Sequence, residues 1–371
     1  MASSPQMSQE LHPERRGWGA FGAYALSGEL PREHALSLIE ARVAELQTRL
    51  PPSQGGTKGG RSGEGETPAE LRTASELSAE LERLRSAWLT AARQVYADLQ
   101  PWETVFIARH PRRPLVGDYL HHIVHDFCEL HGDRVYGDDP AVVTGFGEIG
   151  GRQVLIVGQN RGRSLEERVA CNFGCPHPEG YRKSLAKMKL AAKFGIPIVS
   201  LIDTPGAYPG TGAEERGVAM AIADNLRTMP MLPVPVVSVV IGEGGSGGAL
   251  GIGVADRMAM FEHSIFSVIS PEGCAAILWK TSMQAKSAAA ALKLRAGDLL
   301  ELGVIDEIIP EPMGGAHRNH AAAAAALERF VVKALDELTS LPIDALLERR
   351  FNRLRTIGAS FDEPRTIRHI A

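Results

Sequence analysis

Two segments of this chain carry residue types whose spacing could do chemistry, and neither is built around an acid–base pair. One is Ile202-Asp203-Thr204-Pro205-Gly206-Ala207-Tyr208-Pro209-Gly210, and the other is Gly242-Glu243-Gly244-Gly245-Ser246-Gly247-Gly248-Ala249. Each follows a run of β-branched and apolar residues, Ile196 to Ile202 and Val234 to Ile241, and each leads toward a segment of helical spacing. At a strand-to-helix turn several backbone N–H groups lack an intrahelical partner and lie at the positive end of the helix dipole. Glycine lets a ligand oxygen come close to them. The pair therefore predicts an anion site, or an oxyanion hole made of main chain. Taken singly, each loop has a plainer meaning. Asp-Thr-Pro-Gly is also a tight turn with Asp203 capping, and Ser246 is also a small residue that caps a helix start. Two such loops in one sheet favour a shared site.

The second loop fits two further patterns. Gly242, Gly244 and Gly247 match a dinucleotide fingerprint, with Glu262 where a ribose-binding acid would stand. Only Gly247 to Ala255 remains for the crossover helix, too short for such a unit. Gly244-Gly245-Ser246-Gly247-Gly248 matches the elbow of a serine hydrolase, with Asp306 and His317 or His320 following in order. That alternative stays open, with Ser246 as nucleophile of a stand-alone serine hydrolase. A non-catalytic scaffold is the third possibility. Cys171, Cys175 and His177 are too few and too loosely spaced for a zinc site, so no metal is expected on this chain.

The elements that must hold these loops follow from composition and periodicity. The 371 residues are 44% hydrophobic and 23% charged, enough to bury a core. A net charge of −4 argues against nucleic-acid binding by bulk charge. Four cysteines in so long a chain are no disulfide scaffold, which points to a reducing compartment. Residues 1–16 show no apolar signal segment, and no apolar run reaches membrane length, so a cytoplasmic protein with no membrane partner is expected. Residues 1–33 read as a mobile arm. Residues 34–110 read as a helical region, with one helix at Glu33 to Leu50, a glycine-rich loop at 51–67 and a second helix from Pro68 to Leu99, paired as an antiparallel hairpin. Strand-like runs at Val154 to Gly158, Ile196 to Ile202, Val234 to Ile241 and Ser264 to Ile269 alternate with helical segments, giving an α/β core with buried strands. The core is placed at 111–312, helices at 313–357 and a loose tail at 358–371.

At the two loops the chain resembles a known family, the alpha subunit of the bacterial acetyl-CoA carboxylase carboxyltransferase. The resemblance spans Ala35 to Gly358. It is carried by ARHPRRP (Ala108 to Pro114), GDR (Gly132 to Arg134), NFGCPHPEGYRK (Asn172 to Lys183), IDTPGAYPGTGAEERG (Ile202 to Gly217), VIGEGGSGGAL (Val240 to Leu250), SVISPEGCAAILWK (Ser267 to Lys280) and IDEIIPEPMGGAHR (Ile305 to Arg318). It implies a crotonase-like (ClpP/crotonase) superhelix of ββα turns behind a helical N-terminal region. The implied reaction moves a carboxyl group from carboxybiotin, carried on the biotin carboxyl carrier protein, to acetyl-CoA, giving malonyl-CoA for fatty acid biosynthesis. Negative charge then develops on the biotin ureido oxygen and on the thioester oxygen, which suits fixed N–H donors. The implied partners are a zinc-ribbon-bearing beta subunit, the carrier protein and biotin carboxylase, with an alpha2-beta2 heterotetramer.

By that resemblance Gly206, Ala207, Gly247 and Gly248 donate to the biotin carbonyl, and Tyr208, Gly244, Gly245 and Ser246 line the cofactor. Where the family often shows His-Gln-Lys-Gly, this chain has Gln159-Asn160-Arg161-Gly162. Arg161, Arg163 and Arg182-Lys183 are read either as anion contacts or as a solvated basic face. Glu214-Glu215-Arg216 is expected to form an ion pair at a helix start, Glu243 to be buried and hold its loop, and His317 and Arg318 to be structural.

Overall fold

The computed structural model describes residues 31–49 and 68–358. The expected arm (apart from a short 3-10 turn at Pro31–Glu33), the loop at 51–67 and the tail after Gly358 lie outside the described residues. The chain divides into two compact units, with the boundary between Leu99 and Gln100. The sequence reading placed that boundary near residue 110. The helix Pro101–Ala108 and the buried Arg109 that follows it belong to the second unit, because Arg109 is tied to the core by its guanidinium.

The first unit is the expected hairpin. Its helices are His34–Arg49 and Pro68–Tyr96. They run antiparallel: the Tyr96 hydroxyl meets Glu33, and Trp88 Nε1 donates to Glu40 at 3.0 Å. Leu36, Leu46, Leu81 and Ala92 fill the seam. Leu38 and Leu89 also fall on the predicted apolar faces, yet they are 59% and 44% exposed. A two-helix seam covers a narrower stripe than the ~100° face a globular core would bury.

Among the described residues of the second unit eight strands make one sheet: β1 (His125–Glu129), β2 (Val142–Ile149), β3 (Arg152–Gln159), β4 (Ile198–Thr204), β5 (Val236–Gly245), β6 (Arg257–Phe261), β7 (Ile265–Ser267) and β8 (Glu307–Ile309). The order is β1-β2-β3-β4-β5-β6-β8, with β7 paired to β5. The first three strands are antiparallel; from β3 onward every ladder is parallel. Every residue of β4, and all of β5 but the last, is buried, because helices cover both faces. On one face Val199, Leu201, Val237, Val239 and Ile241 pack with the helix His320–Thr339 through Leu327, Phe330 and Val331. On the other, Ile198, Ile202, Val236 and Val240 pack with Met188 of the helix Pro178–Lys193 and with Ala249 and Ile252. Each such side chain contributes about 1.5–3 kcal/mol on burial.

This sandwich fixes the ends of the two central strands. β4 and β5 are neighbours in register from Ile198↔Val236 to Ile202↔Val240, and the register then shifts so that Thr204 faces Gly244. On the other edge, where the ladder to β6 ends at Val240, the last three residues of β5 pair with β7, Glu243 to Gly245 against Ile265 to Ser267. Among the described residues no helix is long and apolar enough to cross a membrane.

Candidate active site

The two loops meet. A Cβ built on Gly245 would lie 2.1 Å from the carbonyl oxygen of Pro205, and one built on Gly248 would lie 2.5 Å from the backbone nitrogen of Ala207. Only glycine allows the second loop to approach the first so closely. Gly242 and Gly244 serve packing in the same way, against the Asp203 carboxylate (2.6 Å) and the Phe266 ring (2.4 Å). Two glycines differ. Nothing lies within 4 Å of a Cβ on Gly206, and a Cβ on Gly247 meets only Ile222, at 3.9 Å or more. Of the four glycines assigned to lining or donation in the second loop, Gly244, Gly245 and Gly248 are pressed against protein, and Gly247 has only Ile222 at ordinary contact distance.

The donors sort as clearly. Ser246 opens the helix Ser246–Gly253, whose N-cap Gly245 offers no side-chain cap. The N–H groups of Ser246, Gly247 and Gly248 are therefore first-turn amides without intrahelical acceptors. In the first loop the Gly206 N–H donates to Thr204 Oγ1 at 3.1 Å and the Tyr208 N–H to the Pro176 carbonyl at 3.0 Å. Between them, the Ala207 N–H has no acceptor among the described residues. Gly206 has φ 152°, a conformation in which glycine is favoured. The expectation that both loops open helices holds only for the second. After Ala207 the first loop continues to Gly210 before the short helix Thr211–Glu215. Tyr208 lies against the His177 ring, with centroids 4.2 Å apart.

Ser246 does not cap its helix. It sits at φ 50°, an uncommon conformation for a non-glycine residue and one that suits a sharp strand-to-helix turn. The residues that a hydrolase would require are engaged elsewhere. Asp306 accepts from the Met258 N–H at 2.7 Å and from Arg353 at 2.9 Å, His320 Nε2 lies 2.7 Å from the Arg112 carbonyl, and His317 stacks on His110. The dinucleotide pattern also lacks its frame, since its helix has eight residues and Glu262 accepts from the Glu311 N–H.

A buried ionic network holds the strand ends from behind. Glu243 is 3% exposed and receives Arg109 through Nε at 3.0 Å and Nη2 at 2.6 Å. Arg161 bridges Glu243 at 3.1 Å and Asp203 at 3.3 Å, and Asp203 accepts the Glu243 N–H at 3.0 Å. Burial opposes charge on Glu243, but Arg109 and Arg161 outweigh it and lower its pKa. For Asp203 burial wins over Arg161, and the pKa is raised. Glu243 thus holds its loop as expected, and Arg161 and Lys183 are no solvated face: Lys183 is 1% exposed and donates to Asp138. Arg163 meets Asp118 and Arg182 meets Asp133. Arg216 pairs with Glu179 rather than with Glu214 or Glu215, because it follows the end of their short helix. Burial pushes the Cys171 and Cys175 thiols up to about 11 and about 12, and no metal-ligand cluster among the described residues includes either.

Arg109, Gln159 and Thr204 were not singled out from sequence. Arg109 had a signal, the ARHPRRP motif. Gln159 had only its place in a tetrapeptide that departs from the expected one.

With this geometry in view, comparisons with known proteins become specific. The family described as "Acetyl co-enzyme A carboxylase carboxyltransferase-like" matches residues 66–358. The acetyl-coenzyme A carboxylase carboxyl transferase subunit alpha of Rhodopirellula baltica is 49% identical over 288 residues, covering 78% of this chain and 90% of that protein. The chain belongs to this family. The subunit of the same name from Aquifex aeolicus is 51% identical over 284 residues, covering 76% of this chain and 88% of its own length. Among solved structures, transcarboxylase 12S has a TM-score of 0.50 at 22% identity, covering 61% of this chain and 42% of that one. At that identity the likeness speaks to the fold alone, and the core has the crotonase-like carboxyltransferase fold expected of the family.

Proposed function

We propose that this chain is the alpha half of a cytoplasmic carboxyltransferase that moves a carboxyl group from carboxybiotin to acetyl-CoA, forming malonyl-CoA with a beta subunit. The observation that supports the proposal is the seating of Gly248 against the Gly206–Ala207 peptide, a contact between the two loops. When bound, carboxybiotin supplies the transferable carboxyl group. This chain's part is to hold negative charge on oxygen with the amides of Ala207, Gly247 and Gly248, aided by the dipole of the Ser246–Gly253 helix. Gly206 serves by clearance, since its own N–H is bonded to Thr204 and its Cα faces open space. Gly244 and Gly245 serve by letting the second loop fold under Phe266 and against Pro205. One such donor is typically worth ~2.7–4 kcal/mol in the transition state. Ser246 and Tyr208 are assigned to line the cofactor.

The carboxylates of the two loops, Asp203 and Glu243, are tied into the ionic network with Arg161 and Arg109, and the acetyl side of the reaction is assigned to the partner subunit, with the carrier protein delivering biotin. Carboxylation of free biotin by malonyl-CoA, the reverse reaction, tests this. It is expected only when the purified chain is mixed with the beta subunit; full activity from the chain alone would refute a shared site. The conformation of Ser246 favours a second reading, hydrolysis. Ser246→Ala would then cost several orders of magnitude in turnover; little change is expected.

A further inference from the structure

We infer that Gln159 is a positioning residue whose side-chain amide straps the two donor loops together. The inference rests on the oxyanion role proposed above and adds the device that keeps its parts in register. Gln159 is the last residue of β3 and is fully buried. The β3–β4 ladder ends at Gly158↔Leu201, so the Asp203 N–H lies beyond it. Gln159 Oε1 accepts that N–H at 3.2 Å, and Gln159 Nε2 donates to the Gly248 carbonyl at 2.8 Å. The orientation of the amide is dictated by its partners, because an N–H can only donate and a carbonyl can only accept.

One planar group therefore joins the strand end that opens the first loop to the residue of the second loop that rests on Ala207. The Tyr181 hydroxyl shares the Gly248 carbonyl at 3.3 Å but bonds to neither Asp203 nor Gly206. Asn225 holds the same short helix one turn on, donating to the Gly251 carbonyl at 2.7 Å. These two fix the helix to its neighbours; Gln159 fixes it to the other loop. The departure from His-Gln-Lys-Gly then has a physical meaning. A neutral imidazole, like a carboxamide, presents one donor and one acceptor, so both residue types can tie the same pair of backbone groups.

Gln159→Met, Gln159→Glu and Gln159→His in the complex with the beta subunit test the strap. Methionine keeps the length and loses both bonds; glutamate keeps an acceptor for Asp203 and loses the donor to Gly248. Both are expected to lower kcat for biotin carboxylation roughly tenfold to a hundredfold, the scale of a small misplacement of catalytic groups. KM for biotin should stay within about twofold, because the donors act on charge that develops in the transition state. Gln159→His should recover most of the loss. A methionine variant with wild-type kcat, or a histidine variant as slow as the methionine one, would overturn the inference. Amide hydrogen exchange separates this outcome from failure of the functional proposal. Even if the wild-type complex transfers no carboxyl group, Gln159→Met should speed exchange at the Asp203 amide, and unchanged exchange there would rule out the strap.

Discussion

Single residues in the two loops divide by what surrounds their α-carbons, and that division makes opposite predictions for neighbours in sequence. Gly247 has room beside it: a Cβ there would meet Ile222 at ordinary contact distance, 3.9 Å. Gly248 has none, with the backbone of Ala207 and Gly206 2.5 Å away. Gly247→Val should therefore fold with a Tm close to wild type while kcat falls roughly 10²–10³-fold, because its side chain would fill the ligand's place and keep the oxygen from the amide, at the cost of an oxyanion donor. Gly248→Ala should lose activity and also stability, by about 1–3 kcal/mol, because overpacking must push two backbones apart. Calorimetry and biotin carboxylation on the two variants check both halves. An unstable Gly247→Val would mean that the space beside Gly247 is structural, and a stable, active Gly248→Ala would mean that the loops need not touch.

At the scale of elements, the site is the meeting of two strand ends, and Glu243 is the tie. It is the first residue of β5 to pair with β7, and its carboxylate collects Arg109 and Arg161. Removing a partner from a buried ion pair leaves an uncompensated charge and typically costs ~3–5 kcal/mol. Glu243→Ala should lower the unfolding free energy by that order, measured by urea titration, and lower turnover with it. Arg109 keeps Glu272, at 2.7 Å, and Arg161 keeps only its longer contact to Asp203, at 3.3 Å, so Arg161 is left the worse paired. A variant as stable as wild type would show that the network is incidental. Much of this architecture was legible in the sequence, though not all of it. β4 and β5 were readable because parallel strands buried on both faces are continuous apolar runs. β2 was not, because Gly145 and Gly147 interrupt it. A Cβ at Gly145 would lie 2.6 Å from the Phe127 ring, and one at Gly147 2.5 Å from Val124, so those glycines belong to packing and not to a turn. The close approach of the loops was legible as a cluster of glycines. Which glycine faces protein and which faces open space was not, since it depends on Pro205, Phe266 and Ile222 arriving from elsewhere in the chain.

For the molecule as a whole, buried carboxylates that tie distant segments together should set its response to acid. Glu311 joins Arg113 at 2.6 Å, the His263 N–H at 3.1 Å and the Ala316 N–H at 2.6 Å, linking the segment before Val116 to the turn that starts the C-terminal helices. Burial opposes its charge, but Arg113, with help from His263 and the Ala316 amide, brings its pKa down from 4.5 to about 2. A depressed folded-state value stabilises above the unfolded value and is lost as pH falls. Glu311 should thus contribute about 3 kcal/mol above pH 4.5 that disappears toward pH 2. Asp139 has the opposite sign. Burial, against the amides of Ala141 and His177, pushes it up to about 6 from 3.8, so its contribution falls as pH rises between those values. Because the two slopes oppose each other, the wild-type curve alone does not isolate Glu311, and the informative quantity is the difference from Glu311→Gln. That variant should be less stable at neutral pH by several kcal/mol, from the broken pair with Arg113, and the gap should narrow steadily between pH 4.5 and 2. Urea unfolding over that range checks it. A gap that stays constant would show that folding does not lower the pKa of Glu311.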